Sequence, residues 1–265
     1  MDDLKLSEIW IYPIKSLGGI SLQQSKVFEK GLQHDRRWML VDENGQFMTQ
    51  RVYPQMALFK LSMNAEKLKI TYGDQAIDLS FANPATLDLM KVTIWDDSVL
   101  ASEVNKEHSE WFSTLLGMKC KLVFFPEGNS RPVDVTYKVN NEHVSLADAY
   151  PFLIIGQPSL DSLNAKLEVA LPMNRFRPNL IFTGGEPHDE DGWRNFTVGS
   201  NRFVGVKPCA RCVLTTVNQD TAEKGIEPLK TLATYRKQNN KILFGQNLVA
   251  LDHDYIHVGD LISLQ

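Results

Sequence analysis

Short runs of β-branched and aromatic residues, each closed by Gly, Pro, Asn or Asp, fill most of this chain and leave little room for helices. Such residues suit a pleated, half-buried surface, and turn formers at these intervals cut them into strands. Leu6 to Ile14 reads as a strand broken at Pro13, and Gln24 to Phe28 as a second. Trp38–Val41 and Gln46–Met48 flank Asn44-Gly45, a hairpin signal because that dipeptide accepts the positive φ of a tight turn. Phe59–Met63, Lys67–Tyr72, Gln75–Leu79, Lys91–Trp95, Phe203–Val206 and Tyr255–Ile262 continue the pattern. Helical spacing of apolar residues occurs in three places: Ser102–Leu116, Ser159–Leu167 with Ser159 as N-cap, and Leu229–Gln238. This is a mainly β chain with a few short helices, a barrel or sandwich rather than alternating βαβ units. A polar, turn-rich stretch, Phe125 to Pro132, divides the 265 residues into 1–125 and 126–265.

Bulk properties exclude several classes of function. A formal charge of −4 argues against a nucleic-acid footprint, which is normally basic. No apolar run approaches the roughly 20 residues that a membrane span needs. Met1-Asp2-Asp3-Leu4-Lys5 has neither the basic start nor the apolar stretch of a signal peptide. Three cysteines do not make a disulfide framework. These features predict a cytoplasmic protein with reduced thiols, bound to neither nucleic acid nor membrane.

The chemistry concentrates at Lys207-Pro208-Cys209-Ala210-Arg211-Cys212, followed by the strand-like Val213–Val217. A cationic neighbourhood favours the thiolate, the form that ligates soft metals or attacks electrophiles. His253 and His257 allow a Cys2His2 zinc set on paper. In a strand, however, those two histidines stand about 13 Å apart, too far to share an ion. A thioredoxin-like dithiol opens a helix, which Val213–Val217 does not resemble. Two structural cysteines beside a turn remain an alternative. Three further stretches carry cations. Lys15-Ser16 precedes Leu17-Gly18-Gly19 and presents an ammonium, a hydroxyl and open amides to an anion. His34-Asp35-Arg36-Arg37-Trp38 and Asn174-Arg175-Phe176-Arg177-Pro178 set guanidinium forks beside aromatics, suited to phosphate, carboxylate or a surface ion pair. Phe182–Trp193 is acidic, but without the alternation of a calcium loop, and reads as solvated.

In order along the chain, Tyr12-Pro13-Ile14-Lys15-Ser16, Asp35-Arg36-Arg37-Trp38, Pro151-Phe152-Leu153-Ile154, Phe176-Arg177-Pro178-Asn179, Cys209–Val217, Phe244-Gly245-Gln246-Asn247 and Val258-Gly259-Asp260 resemble the MOSC superfamily. The likeness is to the branch with a MOSC N-terminal β-barrel domain, which includes the mitochondrial amidoxime-reducing component and its bacterial relatives. It implies an N-terminal MOSC-type β-barrel domain followed by a C-terminal MOSC β-barrel domain. It further implies a molybdenum–molybdopterin cofactor with Cys212 as metal ligand and catalytic centre, and Cys209 as a neighbour. Lys15, Ser16, Arg36, Arg177 and Arg211 match positions that hold the cofactor. The implied activity is reduction of small N-hydroxylated compounds, with electrons from a separate donor protein. The alternative is a non-catalytic cofactor or sulfur carrier using a cysteine persulfide. One departure stands out: the family's small hydroxyl residues before Pro-Phe-Leu-Ile are replaced here by Ala149-Tyr150.

Overall fold

The computed structural model describes residues 3–82 and 88–265. Its largest sheet has nine strands. Along the ladder these run Ile262–Leu264, Asn195–Val198, Asn201–Ala210, Lys241–Ala250, Phe152–Gly156, Leu180–Thr183, Lys5–Ile11 and Ile20–Leu22, with Lys237–Gln238 paired beside Lys241–Ala250. A four-stranded sheet of Trp38–Val41, Lys121–Phe124, Asp97–Glu103 and Leu89–Ile94 and two three-stranded sheets complete the mainly β fold. One pairing in the large sheet is parallel, Phe152–Gly156 on Leu180–Thr183. Parallel neighbours need a crossover, and the helix Gln157–Asn164 supplies it.

Burial alternates where one face of a strand meets solvent and fails where a strand is covered on both faces. Lys67–Tyr72 starts with strict alternation, while Trp38–Val41 and Phe152–Gly156 are buried throughout. One core, with Phe152, Phe182, Phe196 and Phe203, fills the large sheet; another, with Trp38, Phe59, Phe112 and Leu122, fills the N-terminal half. Truncating one such phenylalanine to alanine costs about 3–5 kcal/mol. The two halves share strands, because Lys5–Ile11 pairs with Leu180–Thr183 and Gln24–Phe28 with Tyr255–His257. Residues 125–151 form no helix or strand.

Several local expectations change. The first helix is Lys106–Leu116, capped by the Asn105 side chain on the His108 amide, because Ser102 and Glu103 belong to the strand before it. Ser159 lies inside its helix and caps nothing; its hydroxyl is given to Glu190 at 2.8 and 2.9 Å. The third helix stops at Tyr235, and Lys237–Gln238 is strand. The acidic stretch is solvated over Gly185–Pro187 and at Asp189, but not throughout. Phe182–Thr183 ends a strand, and Glu190 is fully buried, where burial pushes its carboxyl up to about 7 against the opposing hydrogen bonds from Ser159 and Gly156. Val213–Thr216 is a 3-10 turn rather than a strand: the Thr215 and Thr216 hydroxyls donate back to the carbonyls of Cys212 and Val213 at 2.9 and 2.8 Å. That bonding competes with a ladder and folds the β-branched run into a turn.

Candidate active site

Lys15, Ser16, Arg36, Arg177, Arg211 and Cys212 all line one cleft of about 290 Å³. Residues from four distant segments of the sequence therefore meet at one place. Arg51, Lys207 and Lys241 add cations to its wall, and Asp148 is the only carboxylate lining it among the described residues.

The cationic wall is held by backbone. Three of its residues take positive φ, at 66° for Ser16, 49° for Arg36 and 56° for Arg177. This region is costly without glycine, about 1–3 kcal/mol each, and persists where surrounding structure over-determines it. Lys15 donates its amide to the Trp38 carbonyl at 2.7 Å, and the Gln50 amide group fixes the Ser16 carbonyl at 2.8 Å. Gly18 passes the Phe59 carbonyl so closely that a Cβ there would stand 2.7 Å from its oxygen. Arg36 donates to the buried Asp35 carboxylate at 2.6 Å, to Asn179 Oδ1 at 3.1 Å and to the Arg177 carbonyl at 3.2 Å. Arg177 donates to the Leu17 carbonyl at 2.7 Å. Both guanidiniums lie against the Tyr12 ring, 4.4 Å and 4.1 Å from its centroid. Burial pulls the Arg177 guanidinium down to about 10 and pushes the Tyr12 hydroxyl up to about 12. Burial also lowers the Lys15 ammonium to about 8, although Asp148 at 2.5 Å opposes the fall.

The other end of the cleft is built from side chains. Cys212 is exposed and stands just before the 3-10 turn. Arg51 Nε donates to its sulfur at 3.2 Å and Arg51 Nη2 to Asp148 Oδ2 at 3.0 Å. The cleft's enclosure opposes ionisation of Asp148, although 53% of its side chain meets solvent; the Lys15 and Arg51 cations outweigh it and hold the carboxyl well below the usual range. Arg211 donates from Nη1 to Cys209 Sγ at 3.0 Å and from Nη2 to the Phe176 carbonyl at 2.6 Å. Its Nε is buried with no hydrogen-bond partner. Tyr150 lines the cleft and packs edge-on against Tyr137 at 6.2 Å.

This chemistry suits an anionic ligand carrying both phosphate and sulfur donors. Guanidinium forks and an ammonium bind phosphate oxygens, a thiolate completes a soft metal's sulfur set, and the orphaned Arg211 donor offers a further bond. The zinc set is not assembled, since no group of three or more His, Cys, Asp or Glu residues among the described residues is placed to hold a metal ion. His257 instead sits on the strand paired with Gln24–Phe28. Sequence reading missed Arg51 and Asp148. Neither belongs to a stretch with a recognisable chemical pattern, although Asp148 immediately precedes Ala149-Tyr150.

Residues 3–119 match the MOSC N-terminal beta barrel domain and residues 141–263 match the MOSC domain. The chain belongs to the MOSC family. Mitochondrial amidoxime-reducing component 1 of Mus musculus is 30% identical over 278 residues, an alignment covering 98% of this chain and 82% of that protein. Mitochondrial amidoxime reducing component 2 of Rattus norvegicus is 32% identical, covering 87% of this chain and 72% of its own. Molybdenum cofactor sulfurase of Arabidopsis thaliana is 30% identical across 91% of this chain, but the chain spans only 32% of that longer protein. The MOSC match thus embraces both halves that contribute to the cleft.

Proposed function

We propose that this MOSC protein binds a molybdenum–molybdopterin cofactor and reduces small N-hydroxylated compounds, drawing electrons from a separate donor protein. The observation that carries this reading is the convergence of Lys15, Ser16, Arg36, Arg177 and Arg211 on a cleft that ends at the Cys212 sulfur. Arg36 and Arg177 offer planar forks to a phosphate, and Lys15 adds a point charge. Cys212 Sγ supplies the protein's ligand to the metal. When bound, such a metal supplies the two-electron chemistry that removes oxygen from an N–OH group. The chain's own part is positioning and proton handling. Asp148 stays ionised and accepts from Lys15, Arg51 and Trp95, which fixes the thiol end. Lys15, drawn down to about 8, holds at Nζ a proton that exchanges near neutral pH. Three cysteines, one of them the buried Cys120, cannot form a four-thiolate cluster within residues 1–265, so the electrons this reading needs come from a redox centre outside them. All three cysteines are free, which supports the cytoplasmic location we propose.

The test is metal and pterin analysis of the protein expressed in a cofactor-producing host, followed by assay with benzamidoxime and a reduced viologen. One molybdenum and one pterin per chain with amidoxime turnover is the expected result. Zinc without molybdenum overturns it. A second reading, sulfur carriage on a Cys212 persulfide, is favoured by the exposure of that sulfur. It predicts sulfane sulfur on Cys212 and no amidoxime turnover.

A further inference from the structure

The turn between the strands Leu89–Ile94 and Asp97–Glu103 contains only Trp95 and Asp96, because Ile94 pairs with Asp97. Trp95 occupies its first position with φ at 55°. Two-residue hairpin turns with positive φ there favour glycine or asparagine, and a bulky side chain is a conformational outlier. Burial does not account for it either, since Trp95 is 46% exposed. Its contacts point elsewhere. The Arg51 guanidinium lies 4.1 Å from the ring centroid, and the indole Nε1 donates to Asp148 Oδ1 at 3.2 Å. Phe47 supports the ring at 5.1 Å. Arg51 is therefore held flat by Trp95 and by one edge through Asp148, and this leaves its Nε–H directed at the Cys212 sulfur at 3.2 Å.

We propose that Trp95 is a positioning residue that holds the Arg51 guanidinium in hydrogen-bonding contact with the Cys212 sulfur, and that this contact tunes the metal which Cys212 ligates. The proposal rests on the molybdenum reading of Cys212. A hydrogen bond to a ligating thiolate withdraws electron density from the metal and raises its reduction potential. A lysine cannot replace Arg51, because only a planar group can stack on the indole while donating from two edges. The strained turn is retained for what its side chain does rather than for the fold.

The experiment measures molybdenum content, melting temperature and reduction potential of the bound molybdenum in the cofactor-loaded protein. The variants are Arg51→Met, Trp95→Gly, Trp95→Phe and the Arg51→Met/Trp95→Gly double. Glycine suits the turn, so Trp95→Gly is expected to melt no lower than the parent. The potential should shift to more negative values in Arg51→Met and in the same direction in Trp95→Gly. The double variant should shift no further than Arg51→Met alone, because both act through one contact. Trp95→Phe keeps an aromatic face and should stay near the parent. Additive shifts in the double overturn the proposal, as does a lower melting temperature for Trp95→Gly without a change in potential. Bound molybdenum with equal potentials in all variants overturns the clamp alone. A parent protein that takes up no molybdenum overturns the cofactor reading, and the clamp with it.

Discussion

The two ends of the cleft are built by different means. At the cationic end, Arg36 and Arg177 spend donors on backbone carbonyls and on Asn179, both pack against the Tyr12 ring, and sit in a strained backbone. At the thiol end, Cys212, Arg51, Asp148 and Trp95 touch side chain to side chain, and Cys212 and Trp95 are exposed. A backbone-held wall is organised before a ligand arrives and loses little freedom on binding. Long side chains reaching across from the other half can shift with what is bound. The first arrangement suits a part of a ligand that is gripped permanently, and the second suits the part where chemistry occurs.

That contrast can be broken at several points. The largest effect is expected for Cys212→Ser, which should abolish amidoxime turnover by removing the soft ligand, while Cys209→Ser keeps most of it; equal loss in both would restore a symmetric dithiol and erase the distinction between the ends. Next, Arg177→Met should strip most of the pterin from the purified protein, measured by fluorescence after oxidation, because it removes a buried fork and leaves the Leu17 carbonyl without its donor. Full occupancy in that variant would mean that the wall does not hold the ligand. Lys15 gives a pH signature. Its ammonium is lowered to about 8, so its charge is lost as pH rises through that value, and affinity for an anionic cofactor should fall above pH 8. Lys15→Gln should bind more weakly and flatten that dependence in a titration of pterin retention. The smallest effect lies outside both ends. Glu190 has its folded value raised from 4.5 to about 7, so the folded state binds more protons between those values and stability falls as pH rises from about 4.5 to 7, by about 3 kcal/mol at most. Glu190→Gln should remove that slope in denaturant unfolding; a parallel slope in both proteins would place its origin elsewhere.

Lys15-Ser16, Arg36 and Arg177 were readable in the sequence as cationic clusters, but each local pattern suits a solvated lysine or a surface ion pair as well, and only the MOSC resemblance draws them to one cofactor. Their positive φ values were not readable, because none is glycine or asparagine and nothing local demands the conformation. Contacts from other segments hold it: the Arg36 amide donates to the Tyr12 carbonyl, the Gln50 side chain to the Ser16 carbonyl, and Arg36 Nη2 to the Arg177 carbonyl. The thiol end was half legible. Cys212 stood out by its chemistry, but Arg51 reaches it across 161 positions, and one arginine in Thr49-Gln50-Arg51 looks like any other. The strand texture gave the mainly β class, yet it could not show that Val213–Thr216 would turn, since the hydroxyls of Thr215 and Thr216 suit a ladder as readily as a back-bonded turn.

Lys5–Ile11, the earliest strand of the chain, pairs along one edge with the nearby Ile20–Leu22 but along the other with Leu180–Thr183, and the Leu6 amide donates to the Asp260 carbonyl while the Leu6 carbonyl accepts from the Gly259 amide. During synthesis that second edge must wait for well over a hundred residues to emerge before it can pair. Contacts of such high sequence separation slow folding and leave an unpaired edge exposed meanwhile. Lys15 and Ser16 follow that strand directly, so one wall of the cleft cannot be set in place until the chain's second half has arrived to dock it.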